Sequence, residues 1–224
     1  MMKSNYVGPI LVTAFSYMAL VPIIQPATIK FLTTRKERLI RMPIEADKEI
    51  PRSLKIVFPI MVTVIVGLIS PAAVSLIGFL MFGNLIRECT VLNSLSKTAQ
   101  DTLANIITLL LGLTIAFTLQ AEKFITVDTI KILFLGLFAF TVNTGGGVLF
   151  AKLLNVFLKR KINPMIGATG ISAFPMSARV VQKMALKEDP ENILLMHAVS
   201  ANVSGQIASV AASGLVLSLI MGYL

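Results

Sequence analysis

INPMIGATGISAFPMSARV, residues 162–180, is apolar enough to enter a membrane, yet it gathers the residues a helix tolerates least. Pro164 and Pro175 bracket Gly167 and Gly170, and Asn163, Thr169, Ser172 and Arg179 supply polar groups. Proline removes a backbone donor and disrupts the turn before it. The run from Ile162 to Ala178 would measure roughly 26 Å as a helix, short of a hydrocarbon core of about 30 Å. The pattern predicts a broken helix or a re-entrant hairpin. Freed carbonyls, with Asn163, Thr169 and Ser172, could then coordinate a hard monovalent cation, because irregular backbone persists at membrane depth only where it lines a cavity. The plainer alternative is a proline-kinked helix packed through small residues. Arg179 closes the stretch, either snorkelling to the interface or binding a carboxylate with its planar fork of donors.

The rest of the chain fits a membrane setting. Of its 224 residues 55% are hydrophobic and 14% charged, against about 25% charged in soluble domains, and the mean hydropathy is +0.83. The apolar runs are long and do not alternate with period two, which favours helices over a β-barrel. The net charge of +9 sits mostly in loops. That is the positive-inside pattern, so no nucleic-acid partner is expected. Cys89 is the single cysteine, and no Cys/His spacing suits a metal.

Candidate spans follow in order: 7–24, then a hairpin of 56–70 and 72–86 broken at Pro71, then 103–120 and 129–158. A basic loop over 27–55 carries Lys30, Arg35, Lys36, Arg38, Arg41, Lys48, Arg52 and Lys55 and reads as cytoplasmic. After the polar turn LKEDPEN (186–192), a final run over 193–224 is too long for one untilted crossing. Its polar middle, SANVSGQ (200–206), predicts a second broken helix. The fold expected is an all-α integral membrane protein, a single membrane domain over 1–224 with about six to seven transmembrane segments, two of them discontinuous.

Other residues invite roles and plainer readings. Asn202 could give an amide oxygen to the cation or simply bond between helices. His197 is more simply a packing residue than a proton relay. Thr144-Gly145-Gly146-Gly147 suits close helix packing rather than a phosphate loop. Tyr17 is a buried phenol that could donate a proton, or an aromatic filler. All eleven acids lie in loops or at span ends, so no carboxylate sits at mid-membrane.

Residues 162–180 resemble the INPLIG…SAVPMAARV signature of the β subunit of biotin-dependent sodium-pumping decarboxylases, the oxaloacetate, methylmalonyl-CoA and glutaconyl-CoA enzymes. SYMALVPIIQP (16–26), GNLIRE (83–88) and LLMHAVSANVSG (194–205) are similar to further blocks in the same order. The resemblance covers the C-terminal half of such a subunit; the family's DGP aspartate has no counterpart here, and this chain alone is expected to be inactive.

What the resemblance implies is a plasma-membrane, multi-pass subunit that decarboxylates carboxybiotin and moves Na+ outward. Its expected partners are a carboxyltransferase α subunit, a biotin carrier protein and a small membrane subunit, in an oligomer. Sodium would bind at Asn163, Gly167, Ser172 and Asn202, with Arg179 on the carboxybiotin and Tyr17 catalytic beside it. The implied architecture is one half of an inverted-repeat, elevator-like fold. One departure is Ser200-Ala201-Asn202, where the family reads GPN. A secondary Na+-coupled carboxylate transporter is the competing reading.

Overall fold

The computed structural model describes residues 7–43, 50–118, 126–171, 173 and 175–222. Every regular element among them is helical. The chain divides into two compact units where the sequence suggests one domain: residues 1–44 with 114–206, and residues 45–113 with 207–224.

The first unit opens with α1, Val7–Leu32. The sequence reading ends this span near residue 24, but the helix continues through Pro22 and Pro26. Each proline costs one backbone bond. Thr28 and Thr33 then donate their hydroxyls to the carbonyls of Ile24 and Ile29, binding the last turns together. Val21, Gln25 and Ile29 lie four apart and are all fully buried, so α1 turns one stripe inward. Short α2, Arg35–Arg38, carries a capping box: the Thr34 amide donates to Glu37 Oε2 at 2.7 Å, and the Glu37 amide to Thr34 Oγ1 at 3.4 Å.

In the second unit, α3 (Arg52–Ile69) and α4 (Val74–Glu88) form the expected hairpin, turning at Pro71–Ala73. Val66, Ala73, Ile77 and Met81 make its core. Arg52 closes the open end through the Cys89 carbonyl at 2.9 Å and the Thr90 hydroxyl. Next come α5 (Asn93–Thr98), a π turn at Ala99–Leu103, and α6 (Ala104–Thr118), which leaves this unit at residue 113.

The first unit resumes with α7, Val127–Phe157, started by the Thr126 hydroxyl accepting from the Thr129 amide. At 31 residues it extends roughly 46 Å. A 3-10 turn at Pro164–Thr169 and α8, Met176–Glu188, come next. The last helix, α9, runs from Leu195 to Gly222. The break expected at 200–206 is absent, and the helix is continuous there. The reason is local. No proline interrupts it, and the Ser200 and Ser204 hydroxyls bond back to the carbonyls of Met196 and Ser200, both at 2.9 Å.

α3, α7 and α9 are each long and apolar enough to cross a membrane, and at most 17% of any such stretch is buried within the chain. Helices so apolar and so exposed need lipid around them. This is a membrane protein.

Candidate functional site

Between α7 and α8 the described residues form no α-helix. The chain leaves α7 at Leu158, makes the 3-10 turn, and re-enters helix only at Met176. A single kinked helix is therefore ruled out for this stretch. Met165, Ala168 and Thr169 have no exposed surface, so irregular backbone is buried, and its polar groups need partners.

Carboxamides supply those partners. Asn155 pairs with Ile162 through two bonds of 2.8 Å, side-chain amide to carbonyl and backbone amide to Oδ1. Asn163, fully buried, accepts from the Met165 amide at 3.1 Å and donates to the carbonyls of Arg38 and Ile40 at 2.8 and 2.9 Å. Asn192 donates to the same two carbonyls, at 3.1 and 3.5 Å. Asn202 donates to Thr169 and Ile171 at 2.7 and 2.5 Å. Gln25 donates to Ala168 at 3.0 Å and to the Ser177 hydroxyl at 2.7 Å. The donated bonds fix which way each amide points, and they leave Oε1 of Gln25 and Oδ1 of Asn192 and Asn202 buried without a donor.

Glycines let backbone reach backbone. A Cβ on Gly147 would land on the Gly167 carbonyl, and one on Gly167 would sit 2.6 Å from the Gly147 carbonyl carbon. A Cβ on Gly205 would lie 2.7 Å from the carbonyl carbon of Gly170. Gly147 on α7 and Gly205 on α9 thus each press against the broken segment. The close-packing reading of residues 144–147 holds, and Gly167 and Gly170 serve as contact points.

Asn163 and Asn202 both reach the segment, and Gly167 lies within it, its carbonyl accepting from the Gly170 amide at 3.2 Å. Ser172 and the Tyr17 side chain lie outside the described residues. Arg179 is exposed on the first turn of α8 and makes no side-chain bond among the described residues. That turn has no acidic residue and no side-chain cap, so guanidinium and helix dipole add up to a positive locus suited to an anion. His197 bonds through Nε2 to the Met42 carbonyl at 3.2 Å, a packing role.

Sequence reasoning passed over Gln25 and Asn192. Gln25 was findable, because its spacing of four from Val21 and Ile29 marks it as buried.

The loop after α1 is strapped across the turn after α8. Arg38 meets Glu188 at 2.8 Å, and Arg41 meets Asp189 and Glu191, each at 2.6 Å. Arg35 adds a longer contact to Glu188 at 3.5 Å. Hydrogen bonds from Arg41 and from the Glu191 amide hold the Asp189 carboxyl below its ordinary value. Burial opposes ionisation of Glu37, but bonds from Thr34 and Lys152 outweigh it and lower that carboxyl too. A depressed folded-state value stabilises above the unfolded one and is lost as pH falls through it. Protection of the amides across 186–192, relative to their intrinsic exchange rates at each pH, should therefore be high at neutral pH and fall below about pH 4; protection unchanged down to pH 2 would contradict the strap.

A family model described as Na+-transporting oxaloacetate decarboxylase beta subunit matches residues 1–220. The chain belongs to that family. It is 51% identical over 215 residues to the methylmalonyl-CoA decarboxylase subunit beta of Propionigenium modestum, covering 96% of this chain and 54% of that protein. To the oxaloacetate decarboxylase beta chain of Klebsiella pneumoniae it is 49% identical over 214 residues, covering 96% and 49%. A probable oxaloacetate decarboxylase beta chain of Vibrio cholerae is 46% identical over 222 residues, covering 99% and 51%. The chain spans about half the length of these curated relatives. Within the beta-subunit family, then, this half carries both the buried broken segment and the exposed Arg179 on the first turn of α8.

Proposed function

We propose that this chain is the ion-handling part of a membrane subunit that decarboxylates carboxybiotin and couples the reaction to outward movement of Na+. The carrying observation is the buried segment 163–171, held by carboxamides of which Gln25 and Asn202 keep oxygens without donors. Neutral oxygens of this kind suit a hard monovalent cation. Asn202 Oδ1 is the foremost ligand, with Ser172, the Gly167 carbonyl and Asn163 completing the set. Two of these have other duties, since Asn163 Oδ1 and the Gly167 carbonyl already accept backbone amides. Each keeps a second lone pair for an ion.

Arg179 receives the carboxylate of carboxybiotin, presented by a biotin carrier from the cytoplasmic side. Loss of CO2 breaks the bond from carboxylate carbon to ureido nitrogen, and that nitrogen takes a proton, for which Tyr17 is the proposed source. Moving one charge against 100 mV costs about 2.3 kcal/mol, so exporting one or two ions is a demand a favourable decarboxylation meets. Coupling needs carboxybiotin to bind the inward- and outward-facing states differently, and the attraction between its carboxylate and a nearby Na+ provides the link. A carboxyltransferase α subunit, the biotin carrier and a small membrane subunit complete the assembly in the plasma membrane. The chain crosses the bilayer several times, as one half of an inverted-repeat, elevator-like architecture.

The test is sodium protection. In the intact complex, Na+ should slow tryptic cleavage, and Ser172→Ala and Asn202→Leu should each need about tenfold more Na+ for equal protection. Protection matching the wild type in both variants would remove these side chains from the site.

A further inference from the structure

Gln25 stands in the buried stripe of α1 with no exposed surface. Its Nε2 donates at 3.0 Å to the Ala168 carbonyl and at 2.7 Å to the Ser177 hydroxyl. Those bonds fix the amide's orientation, because turning it over would set Oε1 against the Ala168 carbonyl, acceptor facing acceptor. Oε1 is consequently directed into the interior with no donor. Asn202 arrives from α9 with the same arrangement. Its Nδ2 holds Thr169 and Ile171, and its Oδ1 is likewise buried and unpartnered. Ala168 and Thr169 are consecutive residues, so two orphan carboxamide oxygens flank one short length of irregular backbone. Burying an acceptor without a partner is unfavourable, and a positive partner beside the 168–171 backbone would satisfy both.

We propose that Gln25 Oε1 is a ligand of the sodium ion, completing a site with Asn202 Oδ1 beside the 168–171 backbone. The inference rests on the sodium reading above and adds a ligand to it. Hard amide oxygens match an alkali cation, and no Asp or Glu is among the buried residues described, so the empty site carries no net charge. The same amide ties the ion to the arginine helix. Its Nε2 bond to Ser177 lies two residues before Arg179, and a shift of Gln25 on ion binding is passed directly to the first turn of α8.

The test is thermal unfolding of the intact purified complex across a series of NaCl concentrations, with choline chloride holding ionic strength constant. The wild-type midpoint should rise with Na+, as a ligand of the folded state requires. Gln25→Met keeps the side chain's length and removes the oxygen, together with the Nε2 donor that Gln25→Glu also lacks. Its half-saturating Na+ concentration should increase about tenfold to a hundredfold, the loss of one contact to a charge. Its midpoint in choline should fall modestly, because losing the Nε2 bonds to Ala168 and Ser177 outweighs the removal of the orphan acceptor. Gln25→Glu, which retains an oxygen, should respond to Na+ at concentrations where the Met variant does not. A Met variant with the wild-type Na+ response overturns the assignment, as does a Glu variant no more responsive than Met. Failure of both variants to assemble would make Gln25 structural and end the proposal. A wild-type complex indifferent to Na+ would instead overturn the sodium reading itself, and Gln25's role with it.

Discussion

Arg179→Ala in the intact complex should reduce carboxybiotin decarboxylation by about a hundredfold to a thousandfold while leaving stability nearly unchanged. The two halves of this expectation have separate causes. Arg179 is exposed and makes no side-chain bond among the described residues, and surface substitutions of that kind usually shift stability by no more than about 0.5 kcal/mol. Its placement costs the helix something, since a cation in the first turn opposes the dipole. That disfavoured position makes sense if an anion arrives there. A preorganised donor aimed at a reacting carboxylate is worth roughly two to three orders of magnitude in rate. Arg179→Lys should fall between, because an ammonium keeps the charge but not the two-pronged geometry. Turnover of carboxylated carrier, measured directly, checks this; a wild-type rate in the alanine variant would leave Arg179 as an interfacial residue only.

The second large effect concerns one added methyl group. Gly167→Ala and Gly147→Ala should each destabilise by about 3 kcal/mol or more, at the upper end of overpacking costs. The two backbones touch, and neither is the flexible end of a side chain that could move aside. Gly146→Ala is the internal control. It is next in sequence to Gly147, yet its Cβ would meet nothing within 4 Å. That change should be neutral or stabilising by about 0.5–1 kcal/mol, the usual gain over glycine within a helix. Yield of assembled complex and its unfolding midpoint separate the three. Equal behaviour of Gly146→Ala and Gly147→Ala would contradict the contact between α7 and the broken segment.

The broken segment was legible because proline and glycine act locally. Pro164 and Pro175, with Gly167 and Gly170 between them, break the helix here, and Pro71 marks the α3–α4 turn. Polar residues proved a weaker signal. SANVSGQ reads as a break, but serines can satisfy themselves on the preceding turn, so α9 continues through it. The first span reads as 7–24, yet α1 continues through Pro22 and Pro26 to Leu32, its threonines bonding the turns beyond.

Long-range partners were the least visible. Nothing adjacent to Asn163 or Asn192 in sequence indicates that both grip the carbonyls of Arg38 and Ile40, more than a hundred residues away. The arginines of the basic loop looked like a topology signal alone. Three of them also meet the acids of the 188–191 turn, a pairing that only the folded chain brings together.

The central claim is that decarboxylation and sodium movement are one process passing through the broken segment. The direct measurement is radioactive sodium flux in proteoliposomes containing the complete complex, recorded alongside CO2 release. Sodium should cross only while carboxylated biotin is consumed, and both should fall together in Arg179→Ala and Asn202→Leu. Decarboxylation at the wild-type rate with no sodium crossing, or sodium flux that continues without carboxylated biotin, would contradict the account.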